Sequence, residues 1–82
     1  MTPPIVIVYG DAGCVWCTKA LDLLEELGVE YQYHSLSKSD SAKAFFLSEG
    51  HTTIPQTYDE AGELIGGYEQ LKEYLDAVRR TA

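Results

Sequence analysis

Cys14 and Cys17 are the only cysteines in the chain, and they stand where a β-branched run gives way to a helical pattern. Ile5-Val6-Ile7-Val8-Tyr9 is continuously apolar, as in a strand buried on both faces. Gly10-Asp11-Ala12-Gly13 turns the chain. From Cys14 onward, the apolar and small positions Cys17, Ala20, Leu21, Leu24 and Leu27 follow helical spacing. Asp22, Glu25 and Glu26 lie off that stripe. Residues at i and i+3 on a helix face the same way, so the two sulfurs can approach. The leading thiol falls at the helix N-terminus, where unpaired N–H groups favour an anion. A thiolate there is the species that attacks a disulfide. The second thiol, one turn on, is placed to attack the mixed disulfide that forms. Near a βαβ pattern, C-x-x-C reads as a redox pair.

The rest of the chain supplies that pattern. Gly28 suits a helix C-cap. Val29, Tyr31 and Tyr33 alternate with Glu30, Gln32 and His34, which predicts a strand with one wet face. Ser37-Lys38-Ser39-Asp40 offers caps for a second helix, with Ala42, Phe45 and Phe46 inward and Gly50 as its stop. Thr52-Thr53-Ile54-Pro55 reads as a loop, because proline does not sit inside a central strand. Gln56-Thr57-Tyr58 and Glu63-Leu64-Ile65 flank the turn residues Asp59-Glu60-Ala61-Gly62, as in a hairpin. Gly66-Gly67 admits a close backbone approach. Tyr68, Leu71, Tyr74, Leu75 and Val78 form the stripe of a last helix, with Arg79-Arg80 at its cation-favouring end. Tyr31, Tyr33, Phe45, Phe46 and Tyr74 are read as core. The order βαβαββα predicts an α/β fold, a four-stranded mixed sheet flanked by three helices on its two faces.

A length of 82 residues allows one domain, 1–82, with one modest core. The net charge of -7 argues against nucleic acid and anionic membrane surfaces as partners. No apolar run approaches the length of a membrane span. Met1-Thr2-Pro3-Pro4 lacks the basic start and apolar core of a signal peptide, and Pro3-Pro4 keeps the start of the chain extended. Two cysteines are too few for a secreted disulfide scaffold, so a cytoplasmic location is expected.

Three motifs in order, Cys14-Val15-Trp16-Cys17, Thr53-Ile54-Pro55-Gln56 and Ile65-Gly66-Gly67-Tyr68, resemble those of the glutaredoxins. The small dithiol glutaredoxins of bacteria and phages look most similar, and the match covers nearly the whole chain. The resemblance implies a thioredoxin-like fold and glutathione-dependent reduction of protein disulfides and glutathione mixed disulfides. It implies Cys14 as nucleophile and Cys17 as resolving thiol. It implies a cis bond before Pro55, with the Ile54 backbone pairing with the cysteinyl part of glutathione and Thr53 beside it. Gly67, Tyr68 and Glu69 then hold the γ-glutamyl end, and Trp16 flanks the groove. Glutathione is the implied co-substrate, with no metal and no nucleic acid or membrane partner, and the protein is expected to act as a monomer. Ribonucleotide reductase is the protein substrate the resemblance suggests. Asp11 departs from the pattern, since relatives carry a basic residue there that serves both the nucleophile and a glutathione carboxylate. Lys19, Lys38 and Lys43 are the candidates to replace that cation.

Other readings of the dithiol stay open. A structural disulfide closing so short a loop staples little chain. A zinc site with His34 and His51 lacks ligand-spaced histidines. An iron–sulfur carrier using Cys14 and glutathione is the third, since some proteins that this chain resembles hold a [2Fe–2S] cluster between two subunits. A redoxin recycled by thioredoxin reductase is the fourth.

Overall fold

Alternation along the first strand sets the layers of this molecule. The computed structural model describes residues 5–81; the expectations for Met1 to Pro4 lie outside them. Strand β1 (Ile5–Gly10) turns Val6, Val8 and Gly10 to a fully buried face and Ile5, Ile7 and Tyr9 to a half-buried one. Helix α1 (Val15–Glu26) and strand β2 (Glu30–Ser35) complete a βαβ unit, with β2 parallel to β1 from Ile5 opposite Glu30 to Gly10 opposite Ser35. After helix α2 (Asp40–Ser48) the chain returns as β3 (Gln56–Tyr58), antiparallel to β1 on its other side. Strand β4 (Leu64–Gly66) pairs antiparallel with β3, and helix α3 (Tyr68–Thr81) follows it. The sheet order is β2-β1-β3-β4, mixed and four-stranded as the element pattern predicts.

Each boundary has a local cause. The Ser39 side chain accepts the Ala42 N–H at 3.2 Å and starts α2. Gly28 follows the end of α1 at φ +69°, the left-handed conformation that glycine adopts without penalty. In the β3–β4 turn the Asp59 carboxylate accepts the Glu63 N–H at 2.9 Å. The buried Thr57 hydroxyl donates to the Gly66 carbonyl at 2.7 Å, so no polar group is stranded in that hairpin.

The core lies on one face. Val6 and Val8 pack with Ala20 and Leu24 of α1 and Leu71 and Leu75 of α3, all essentially inaccessible to solvent. Tyr31 and Tyr74 lean on this cluster half-buried, and Phe46 is buried on α2.

The opposite face departs from the sequence expectation. The short α2 covers it only in part, so β1 is fully buried on one side rather than both. Phe45 is not core; it is 38% exposed and joins an aromatic cluster with Tyr9 and Tyr58, at 5.1 and 5.4 Å between ring centroids. Tyr33 is equally exposed, because β2 is an edge strand with no neighbour beyond it. His34, expected on the wet face, is half-buried and stacks on Tyr9 at 5.2 Å.

These surroundings separate two truncations. Leu24→Ala should lower stability by about 2–5 kcal/mol, since it leaves a cavity in the closed core. Phe45→Ala should cost about 1–2 kcal/mol, mainly its two ring contacts. Denaturant unfolding of the reduced proteins measures both; an equal or larger loss for Phe45→Ala refutes the assignment of the core.

Candidate active site

The two cysteines sit where β1 hands over to α1. Cys14 is the N-cap of α1, with extended backbone at φ -94° and ψ 113°. Its sulfur accepts the Cys17 N–H at 3.1 Å. This is the bond that a serine or aspartate makes at an ordinary N-cap, here made by sulfur. The helix therefore directs an unpaired N–H, and the positive end of its dipole, at the Cys14 sulfur. Cys14 is half-buried and Cys17 is buried, and both are free thiols.

Cys17 occupies a slot made by a missing side chain. A Cβ on Gly10 would lie 2.8 Å from the Cys17 sulfur, so only glycine fits at the end of β1. Burial, followed by the hydrogen bond with Cys14, pushes the Cys17 thiol up to about 12. Cys17 is thus held as a neutral thiol at physiological pH.

The second wall comes from the loop before β3. The Ile54–Pro55 peptide is cis, as the resemblance implies. The Cys14 thiol faces the Ile54 carbonyl oxygen at 3.9 Å. The Gln56 side chain donates to the Thr53 carbonyl at 3.2 Å and to its hydroxyl at 3.1 Å, holding this loop in shape.

Beside Cys14 runs a groove of about 320 Å³. Trp16 forms one side, and Thr53, Ile54 and Pro55 another. Gly67, Tyr68 and Glu69, at the start of α3, line it as well. The structure therefore brings all seven predicted binding residues onto one cavity. Trp16 is half-exposed, and its ring lies 5.6 Å from that of Tyr68. The Lys19 ammonium sits 4.6 Å from the centre of the Trp16 ring, which puts a cation at the groove's edge.

Gln70 is the lining residue that sequence reasoning missed. Its side-chain oxygen accepts the Gly67 N–H at 3.0 Å. This is the returning half of a capping box, and the available signal was glutamine three residues after the glycine that precedes the helix.

Asp11 is not arranged as its sequence position suggests. Its carboxylate accepts the Ser37 hydroxyl at 2.7 Å, the Ala12 N–H at 3.0 Å and the Ser35 hydroxyl at 3.2 Å. It ties the loop carrying Cys14 to the end of β2. The Ser37 hydroxyl, then the Ala12 N–H, hold its carboxyl below the usual aspartate range. Of the other lysines, Lys38 lines a cavity with Ala12 and His34, and Lys43 lines another with Asp11 and Phe46. His51 shares a 2.6 Å hydrogen bond with the Tyr58 hydroxyl, which donates to Glu49. Among the described residues, no group of three or more His, Cys, Asp or Glu converges as a metal site, and no helix is long and apolar enough to cross a membrane.

Comparison with known proteins agrees with this arrangement. A family model described as glutaredoxin matches residues 6–65. A glutaredoxin of Pseudomonas aeruginosa is 33% identical over 70 residues, which cover 83% of this chain and 81% of that protein. The hybrid peroxiredoxin hyPrx5 of Haemophilus influenzae is 29% identical over 85% of this chain, but the chain spans only 29% of that protein's length. The structure of a buckwheat glutaredoxin–glutathione complex superposes with a TM-score of 0.71 at 23% identity, covering 90% of this chain and 71% of the other.

Two measurements follow from the site. Mild alkylation of the reduced protein at neutral pH should give a single adduct on Cys14, read by peptide mass mapping, because the Cys17 thiol is neutral and buried. A matching adduct on Cys17 would contradict that. The carboxyl of Asp11 should titrate below the usual range by carbon NMR, and Ser37→Ala should move it back up. The sign is fixed by the direction of the shift. The carboxylate's stabilising bonds are intact above the usual aspartate pKa and are lost as pH falls through the lowered one.

Proposed function

Because this chain belongs to the glutaredoxin family of thiol–disulfide oxidoreductases, we infer that it reduces protein disulfides and glutathione mixed disulfides with glutathione as electron source. The observation that carries the reading is the Cys14 sulfur itself. It is held at a helix N-terminus by the Cys17 N–H, facing the Ile54 carbonyl of a residue that lines the groove.

The chemistry runs through two sulfur exchanges. The Cys14 thiolate attacks the substrate disulfide. One new S–S bond forms at Cys14, and the old S–S bond breaks, releasing a thiolate that takes a proton from solvent. On a glutathionylated substrate, Cys14 takes the glutathionyl sulfur. A second glutathione thiolate then attacks that sulfur, releasing oxidised glutathione and regenerating the Cys14 thiolate. On a protein disulfide, Cys17 loses its proton and attacks Cys14, which closes the Cys14–Cys17 disulfide and frees the reduced protein. Two glutathione molecules then reopen that bond.

In this reading the cysteinyl backbone of glutathione pairs with Ile54. The γ-glutamyl end lies against the first amides of α3, with the Glu69 carboxylate toward its ammonium. Trp16 covers the side of the groove. The protein works as a cytoplasmic monomer, and ribonucleotide reductase is among its disulfide substrates. The likeness to a glutathione complex and the seven residues on one groove support the reading.

A coupled assay tests it. Oxidised substrate should turn over with glutathione and glutathione reductase. Turnover only with thioredoxin reductase refutes glutathione as the electron source. Cys14→Ser should lose all exchange. Cys17→Ser should keep reduction of glutathionylated substrates and lose that of protein disulfides. Equal loss in both variants overturns the division of roles.

A further inference from the structure

The peptide between Gly10 and Asp11 passes Cys17 at close range. A Cβ on Gly10 would lie 2.8 Å from the Cys17 sulfur and 3.3 Å from the Cys17 Cβ. The Gly10 carbonyl accepts the Leu36 N–H at 2.9 Å, on the β2 side of β1. A trans peptide points its C=O and N–H in opposite directions, so the Asp11 N–H faces away from β2. On that other side β3 pairs with β1 only as far as Tyr9 opposite Gln56, and the ladder stops short of Asp11. The Asp11 N–H reaches the Cys17 sulfur instead and favours its anion against the penalty of burial. The side chain of the same residue fixes this amide from outside. Its Oδ1 accepts the Ser37 hydroxyl at 2.7 Å, the Ala12 N–H at 3.0 Å and the Ser35 hydroxyl at 3.2 Å. The loop between β1 and α1 is thus clamped to the end of β2 beside the buried sulfur.

We propose that Asp11 is a positioning residue for the second exchange, its carboxylate clamping the loop so that its own N–H supports the thiolate that forms at Cys17. The inference rests on the reading of Cys17 as the resolving thiol. In that step the Cys17 thiol gives its proton to water and its sulfur bonds to Cys14. The bond from Cys14 to the substrate sulfur breaks, and the substrate leaves as a thiolate that takes a proton from solvent. A negative charge therefore appears briefly at a sulfur that desolvation keeps neutral at rest. A donor already held in place needs no reorganisation when that charge appears. The charge of the carboxylate works the other way, since it disfavours a second anion nearby. Asp11 thus helps through its bonds and opposes through its charge, and the two can be separated. Asparagine offers the same oxygen to the same donors without the charge, and alanine offers neither.

The test is a single-turnover reaction of the reduced full chain with dipyridyl disulfide, an uncharged reagent that releases an absorbing thiopyridone at each exchange. The first release reports attack by Cys14, and its rate rises with reagent concentration. The second reports closure by Cys17, and its rate does not. Thermal unfolding confirms that each variant is folded. Asp11→Asn should close at least as fast as the wild-type protein. Asp11→Ala should close about two- to tenfold more slowly than Asp11→Asn, the worth of one hydrogen bond. The first release should be the same in these two variants, which share the change in charge. The double variant Ser35→Ala with Ser37→Ala keeps the charge and should also close more slowly than wild type, so it carries the test if Asp11→Ala does not fold. Equal closure in Asp11→Ala and Asp11→Asn, equal slowing of both releases, or a double variant that closes at the wild-type rate overturns this inference alone. A second, concentration-independent release from Cys17→Ser overturns the resolving role of Cys17 and this inference together.

Discussion

The hydrogen bond from the Cys17 amide to the Cys14 sulfur fixes the site, and the surrounding structure serves to hold it. It needs Cys14 extended and Val15 already helical, so the strand-to-helix junction has to be sharp. It also needs Cys17 turned inward, one helical turn behind the capping sulfur. Gly10 makes that possible, because any side chain there would collide with the Cys17 sulfur. Val8 and Val6, two and four residues back on the same face of β1, lock the strand against Leu24, Leu71 and Leu75. A shift of β1 against α1 would therefore disturb core and chemistry together.

The same geometry gives two identical thiols different jobs. Cys14 is half-buried, faces the Ile54 carbonyl and receives an N–H. Cys17 is buried and kept protonated, since desolvation penalises its charged form. In the proposed reaction attack then begins at Cys14. Cys17 acts second in it, on the Cys14 sulfur once that sulfur is in a mixed disulfide. Order in the reaction thus follows from burial, not from any difference in the side chains themselves.

Much of this was legible in the sequence. The βαβαββα order, the cysteine pair at a strand-to-helix junction and the two glycine- or proline-bearing motifs lie in local patterns, and local patterns survive folding. The seven groove residues come from segments distant in sequence, and their meeting on one cavity was legible only through resemblance. Three features were not legible. Phe45 and Tyr33 look like core by hydrophobicity, but coverage depends on how far the short α2 reaches and on β2 being an edge. Asp11 looks like a misplaced charge because its partners, Ser35 and Ser37, lie across the β1–β2 pairing. Gln70 looks like a plain helix residue until its cap is seen.

Asp11 recasts how charge is arranged around the groove. A carboxylate next to the nucleophile reads, in sequence, as an electrostatic cost. Three donors converge on it instead, so its charge is spread into the loop that it anchors. Its removal by lysine would take three bonds from that loop while adding a cation, and the two effects oppose each other. The positive charge that the structure does bring to the groove's edge is Lys19, held over the Trp16 ring. That position is exposed, on a chain whose net charge is -7. Long-range attraction for an anionic tripeptide is therefore weak, and in the proposed reading recognition rests on short-range contacts: the Ile54 backbone, the Trp16 and Tyr68 rings, and the amides that open α3. In such a groove the state of a single N–H carries more weight than it would beside a strong positive field.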